Sequence, residues 1–203
     1  MAVVLFDLDG VLIDSEALKA RSHAATVADF GGHVDPLFYA TVMGRDHAAV
    51  RAAFLDQGAI PHTPPEDYSA RYRSHYETLV DAELAPTPGA LDLLDALAAS
   101  EHRVGLVTSS QGWMVDRVFA RLPLANYFAQ IVSADDVERH KPHPDSYLLA
   151  MKKFEAAPDL TVIFEDSAAG IEAAVRSGAA TIGIRHAFNH THAFTGVART
   201  IDS

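Results

Sequence analysis

Leu5-Phe6-Asp7-Leu8-Asp9-Gly10-Val11-Leu12-Ile13-Asp14-Ser15, entered from an apolar run that begins at Ala2, decides how the chain is read. Side chains two residues apart on an extended strand project to the same side, so Asp7 and Asp9 converge where a buried strand ends. Gly10 lets the backbone turn sharply there. Two carboxylates this close repel each other and call for a cation, of which a hard, oxygen-loving ion such as Mg2+ is the obvious candidate. Taken alone, Asp-Leu-Asp-Gly is also an ordinary turn after a strand, because Asp and Gly are common turn residues.

Outward from that stretch, short apolar runs rich in β-branched residues read as buried strands at 2–6, 103–108, 130–133, 161–165 and 180–184. Helical segments lie between them, as at 88–100 and 111–122, where Leu91, Leu94 and Leu97 form an apolar stripe. Alternating strands and helices predict an α/β fold, a Rossmann-like parallel sheet covered on both faces. Ligands in such sheets bind beyond the C-terminal ends of the strands.

More than ninety residues separate the first two strands, too many for one crossover helix. Residues 16–30, 46–57 and 65–80 read as helices, punctuated by Pro36, Gly44, Gly58, Pro61, Pro64 and Pro65. The expected organisation is a core of residues 1–14 and 83–203 with a helical insertion at 15–82. A single large domain with extra helices is the alternative.

The bulk properties narrow the function. At 203 residues the chain can bury a sizeable core. A formal charge of −11 argues against a nucleic-acid partner. No apolar run approaches the roughly 18 residues of a membrane span, and no signal peptide is visible. The absence of cysteine excludes disulfides and thiolate chemistry. These features lead to the expectation of a cytoplasmic protein, monomeric by default.

Three more strand ends carry polar groups. Val107-Thr108-Ser109-Ser110 offers hydroxyls and backbone N–H groups before a helix, an anion site or a plain N-cap. Lys141 stands in His140-Lys141-Pro142-His143-Pro144-Asp145, a loop fixed by two prolines. Phe164-Glu165-Asp166-Ser167 sets two acids at the end of an apolar strand, costly to bury unless they face a cation. An N-capped helix with acids at its positive end is the simpler reading of that last stretch.

These four stretches, in order from residue 5 to about 178, resemble the motifs of the haloacid dehalogenase superfamily, and of its β-phosphoglucomutase-like subgroup in particular. The resemblance implies a Mg2+-dependent phosphatase acting on a small-molecule phosphate ester, foremost a sugar phosphate. Asp7 would be the nucleophile and Asp9 the general acid and base. Gly10, Thr108, Ser109 and Lys141 would bind the phosphoryl group. Asp7, Asp166, Glu165 and the Asp9 backbone carbonyl would hold the metal, with Glu165 either a ligand or one step removed. The insertion would be a cap, from which Lys19 and Arg45 are candidate substrate contacts; solvated surface is the competing expectation for both.

The same resemblance separates relatives. Dehalogenases lack the second aspartate, and phosphonate-cleaving members differ at that acid too. The mutases place a histidine where this chain has Lys19, which favours phosphatase over sugar-phosphate mutase. A phospho-accepting receiver or a non-enzymatic phosphate-binding module is the alternative of another class. His186, His190 and His192 read as a solvated tail, and His140 and His143 as structural or solvated residues.

Overall fold

A computed structural model describes residues 1–60 and 62–202, so Pro61 and the last residue of the expected core, Ser203, lie outside the described residues. Six strands form one sheet: β1 (Val3–Phe6), β2 (Arg103–Val107), β3 (Gln130–Val132), β4 (Thr161–Glu165), β5 (Ala180–Arg185) and β6 (Arg199–Asp202). All neighbours are parallel, in the order β3-β2-β1-β4-β5-β6. The chain winds one way from β1 to β3 and the other way from β4 to β6. Its direction reverses beside β1, which is where open α/β sheets bind ligands.

β1 is buried along its whole length, as a central strand covered on both faces must be. Its side chains alternate between two cores. Val3 and Leu5 pack with Tyr147, Met151 and Phe154 of α6 (Asp145–Phe154) and with Ala173 of α7 (Ala168–Arg176). Val4 and Phe6 face the opposite side, with Leu94 of α4 (Ala90–Ala98) and Val118 of α5 (Gly112–Arg121). Phe6 stacks on Phe164 of β4 at 4.8 Å between ring centroids.

Between β1 and β2 run α1 (Glu16–Asp29), α2 (His47–Gln57) and α3 (Pro65–Glu83), with a short 3-10 helix at Pro36–Thr41. Tyr68, Tyr72 and Tyr76 recur every fourth residue on α3 and are all fully buried. Tyr68 and Tyr72 close around His23 of α1, whose ring stacks on Tyr72 at 4.2 Å and on Phe54 at 4.8 Å. The connections entering and leaving this helical stretch lie side by side. Asp14 N donates to Ala85 O at 3.0 Å and Thr87 N to Leu12 O at 3.0 Å.

The expected strands and helices are present with ends shifted by a few residues, the largest shift being the extension of α3 to Glu83. The tail departs from expectation. Residues 199–202, to which the sequence reading assigned no element, form β6, paired with β5 through Ile182↔Arg199 to Arg185↔Asp202. All four residues of this edge strand are exposed, so no apolar run announced it. Among the described residues no helix is long and apolar enough to cross a membrane.

Candidate active site

The strand ends deliver their polar groups to one place. Asp7 follows β1 directly, and its N–H continues the ladder to Phe164 O at 3.0 Å. Lys141 reaches in from the loop after β3, preceding a cis Pro142. Its Nζ donates to Asp7 Oδ1 at 2.7 Å, to Glu165 Oε1 at 2.5 Å and to Val107 O at 3.3 Å. Burial works against the Lys141 charge, yet Asp7 and Glu165 together hold its pKa well above the ordinary lysine value.

Glu165 is fully buried and its hydrogen-bonding capacity is heavily used. Oε1 also accepts from Tyr147 Oη at 2.9 Å. Oε2 accepts from Asp166 N at 2.9 Å, Ser167 N at 3.1 Å and Ser167 Oγ at 3.2 Å. Ser167 also caps α7, accepting from Gly170 N at 3.0 Å. Gly170 gives Glu165 its room, since a Cβ there would lie 1.9 Å from Glu165 Oε1.

Asp7, Glu165 and Asp166 each present a carboxylate oxygen within 4.8 Å of the others. Burial pushes Asp7 up to about 7, with Lys141 pulling the other way. Burial, then the neighbouring Glu165 and Asp7, push Asp166 well above the usual carboxylate range. Three buried acids against one lysine leave negative charge that a divalent cation would balance, so the donor set fits a metal. The Asp9 side chain is not part of this cluster.

Asp9 turns toward the helical stretch. Lys19 Nζ lies 2.6 Å from Asp9 Oδ2, Ser110 Oγ donates to the same oxygen at 2.7 Å, and Ser15 Oγ donates to Oδ1 at 2.5 Å. Ser15 precedes α1 but makes no capping bond, its hydroxyl being engaged by Asp9. Burial would raise the Asp9 pKa, but Lys19 and the two hydroxyls hold it below the ordinary value. Lys19 is therefore not solvated surface: it is 9 % exposed and paired inside the site. A helical lysine reads as solvent-facing, and its partners, ten and 91 residues away, left no local trace.

The remaining candidates divide. Thr108 is buried and its Oγ1 accepts from Ser110 N at 3.0 Å. Ser109 Oγ sits 3.5 Å from Gly44 O. Gly10 adopts φ +74°, and a Cβ there would meet Asp166 Oδ2 at 2.2 Å. Arg45 is exposed at the rim of the pocket that Asp7, Asp9, Thr108 and Lys141 line. Tyr39, Met43 and Tyr72 line it from the helical stretch.

Two histidines of the tail are also not merely solvated. His186 Nε2 lies 2.7 Å from Asp166 Oδ2, and His192 Nε2 lies 2.8 Å from Ala40 O. Asn189 fixes that loop, donating to Asp166 O and Ile184 O at 2.8 Å each. His190 stays exposed. The spacing of the three histidines gave no hint of Asp166, which lies on the neighbouring strand's end.

A parallel sheet with buried carboxylates, a buried lysine and hydroxyls at adjacent strand ends fits a phosphoryl-handling α/β enzyme. Comparison with known proteins agrees. Residues 4–184 match the family model described as haloacid dehalogenase-like hydrolase, and the chain belongs to that family. It is 28% identical over 190 residues to a phosphorylated carbohydrates phosphatase of Thermotoga maritima, covering 93% of this chain and 88% of the relative. It is 26% identical over 210 residues to the phosphoglycolate phosphatase of Escherichia coli, covering 94% and 83%. The crystal structure of CbbY from Rhodobacter sphaeroides in complex with phosphate superposes with a TM-score of 0.88 at 26% identity, covering 99% of this chain and 94% of that one. Within the family the chain is a phosphoric monoester hydrolase.

Proposed function

We propose that the chain hydrolyses a small phosphate monoester, foremost a sugar phosphate, through an aspartyl-phosphate on Asp7. One observation carries the reading: Lys141 Nζ holds Asp7 Oδ1 at 2.7 Å, which aims a buried carboxylate whose other oxygen is free to attack phosphorus. Attack breaks the bond to the leaving alkoxide, and Asp9 supplies the proton that the alcohol carries away. Asp9 then takes a proton from the water that attacks the aspartyl-phosphate, the bond between phosphorus and the Asp7 oxygen breaks, and inorganic phosphate leaves with the Asp7 carboxylate restored. A phosphate beside Asp9 opposes Lys19 and raises its proton affinity, which lets the same carboxyl serve as acid and then as base. Thr108 and the backbone N–H groups after β2 receive the phosphoryl oxygens, and Lys141 offsets their charge.

Asp7 and Asp166 are the residues that would hold Mg2+, with the Asp9 carbonyl; Glu165, already engaged by Lys141, Tyr147 and the Asp166–Ser167 turn, would act by positioning them. The bound ion supplies Lewis-acid neutralisation of the phosphoryl oxygens.

Residues 15–82 act in this reading as a cap over a core of 1–14 and 83–203. Support comes from the paired connections at Leu12–Asp14 and Ala85–Thr87, which bring both crossings to one hinge. Phosphatase is favoured over mutase because Lys19, not a histidine, meets Asp9. The deciding experiment is phosphate release from a panel of esters with and without Mg2+, using the wild-type protein and Asp7→Asn. Mg2+-dependent release that vanishes in a still-folded Asp7→Asn protein is expected. Normal turnover by that variant would sink the nucleophile assignment.

A further inference from the structure

Strand β5 ends at Arg185, and the next residue, His186, brings its ring to Asp166, with Nε2 2.7 Å from Oδ2. The hydrogen bonds of the ring settle which nitrogen carries the proton. Phe188 N donates to His186 Nδ1 at 3.2 Å, so Nδ1 is an acceptor and the proton of the neutral ring sits on Nε2. Nε2–H therefore donates to Asp166 Oδ2. Among the described residues no other hydrogen bond reaches that carboxylate, and none reaches Oδ1.

The contact is built rather than incidental. Asn189, fully buried, accepts from His186 N at 2.9 Å and donates to Asp166 O and Ile184 O at 2.8 Å each. Backbone and side chain of Asp166 are thus tied to one loop. Gly10 leaves the space for it: a Cβ there would lie 2.2 Å from Asp166 Oδ2 and 2.9 Å from His186 Nε2. The phosphoryl transfer itself makes no use of His186.

We propose that His186 is a positioning residue for Asp166, which by occupying Oδ2 leaves the carboxylate one oxygen for a cation and biases the site toward Mg2+ over Ca2+. The inference rests on the reading above that Asp166 would hold the ion, and goes beyond it. An N–H hydrogen carries partial positive charge, so a donor lying against Oδ2 keeps a cation off that oxygen. Mg2+ is small and demands near-ideal octahedral geometry, which a carboxylate held to one oxygen suits. Ca2+ is larger, accepts irregular geometry and takes carboxylates through one or both oxygens. A freed Asp166 would therefore serve Ca2+ better than it serves Mg2+. Groups that hydrogen-bond a ligating side chain orient it, and their loss typically weakens metal binding by about 10–100-fold.

The test measures Kd for Mg2+ and for Ca2+ by titration calorimetry on the full chain, without substrate, for wild type, His186→Ala, His186→Leu and Asp166→Asn. Both His186 variants remove the donor, and their different sizes keep the test open should one of them fail to fold, which thermal melts establish. Each should weaken Mg2+ binding by about 10–100-fold and Ca2+ binding by less, so that the preference for Mg2+ falls by about tenfold. Equal weakening of both ions is what mere loosening of the loop would produce, and it would overturn the role of His186. Unchanged or tighter Mg2+ binding would overturn it too, while the reading of Asp166 as a metal-holding residue stands. Mg2+ binding by Asp166→Asn as tight as that of the wild type would overturn both.

Discussion

Lys19 Nζ stands 2.6 Å from Asp9 Oδ2, with Ser110 Oγ hydrogen-bonded to the same oxygen. The pair is buried, so Lys19 sets the protonation of the proposed acid–base carboxyl rather than decorating a helix surface. In Lys19→Met the carboxyl loses its cation and its pKa rises. The limb of the kcat/KM–pH profile that reports Asp9 should move to higher pH, and kcat should fall by roughly 10²-fold or more. Breaking a buried pair from one side also costs about 3–5 kcal/mol, readable as a lower urea midpoint. An unshifted pH profile would disconnect Lys19 from Asp9.

Metal removal has a readout that needs no turnover. Asp7, Glu165 and Asp166 crowd their charges within 4.8 Å with Lys141 as the counter-ion. Mg2+ at about a hundredfold over its Kd should stabilise the protein by about 2.7 kcal/mol, or roughly 5–10 °C in Tm. Asp166→Asn should abolish that increment. A melting temperature indifferent to Mg2+ and chelator alike would exclude this cluster as the binding site.

Gly170 offers a steric probe of Glu165. In Gly170→Ala the new methyl lands 1.9 Å from Glu165 Oε1 and must push it away from Lys141 and Tyr147. Overpacking of this kind costs about 1–3 kcal/mol. Turnover should drop more than stability does, because the displaced carboxylate no longer anchors Lys141 opposite Asp7. A variant with full activity would show that Lys141 does not depend on Glu165.

Glu16 makes stability depend on pH in a predictable direction. Burial pushes its pKa from 4.5 up to about 8, with Lys19 opposing. The native state therefore holds this proton more tightly than the unfolded chain does. Its contribution is fully present below about 4.5 and is lost as pH rises through about 8. The stability of the wild type relative to Glu16→Gln should shrink across that window in urea titrations. Parallel curves for the two proteins would show that Glu16 keeps an ordinary pKa.

Strand β1 and its two aspartates were legible because a period of two at a strand end leaves a mark in four residues. The sheet class followed from short β-branched runs between helical segments. Lys141 stood out through its two prolines, and its contacts with Asp7 and Glu165 then emerged from the fold. What stayed hidden needed partners distant in the chain. Lys19 reads as solvent-facing until α1 lays it on Asp9, and His186 reads as tail until Asn189 ties its loop to Asp166. Ser15 stands at the N-cap position of α1, yet its hydroxyl makes no capping bond and turns to Asp9. Tyr68, Tyr72 and Tyr76 did leave a readable signal, the four-residue repeat of buried rings along α3. Edge strand β6 left none, since its pairing is made of backbone and its side chains are all exposed.

The contacts of Asp9 have a consequence for how such a protein can diversify. Ser110 apart, Asp9 and the residues around it, Ser15, Glu16, Lys19 and His23, lie in one continuous peptide, whereas Thr108, Lys141, Glu165 and Asp166 arrive from three separate strand ends. Leaving-group handling is thus written as a cassette of about fifteen residues, and phosphate handling as a distributed text. Exchange of residues 9–23 between relatives would carry the acid and its tuning cation across together. No comparable graft could move the phosphate half, whose parts meet only because the sheet is already built.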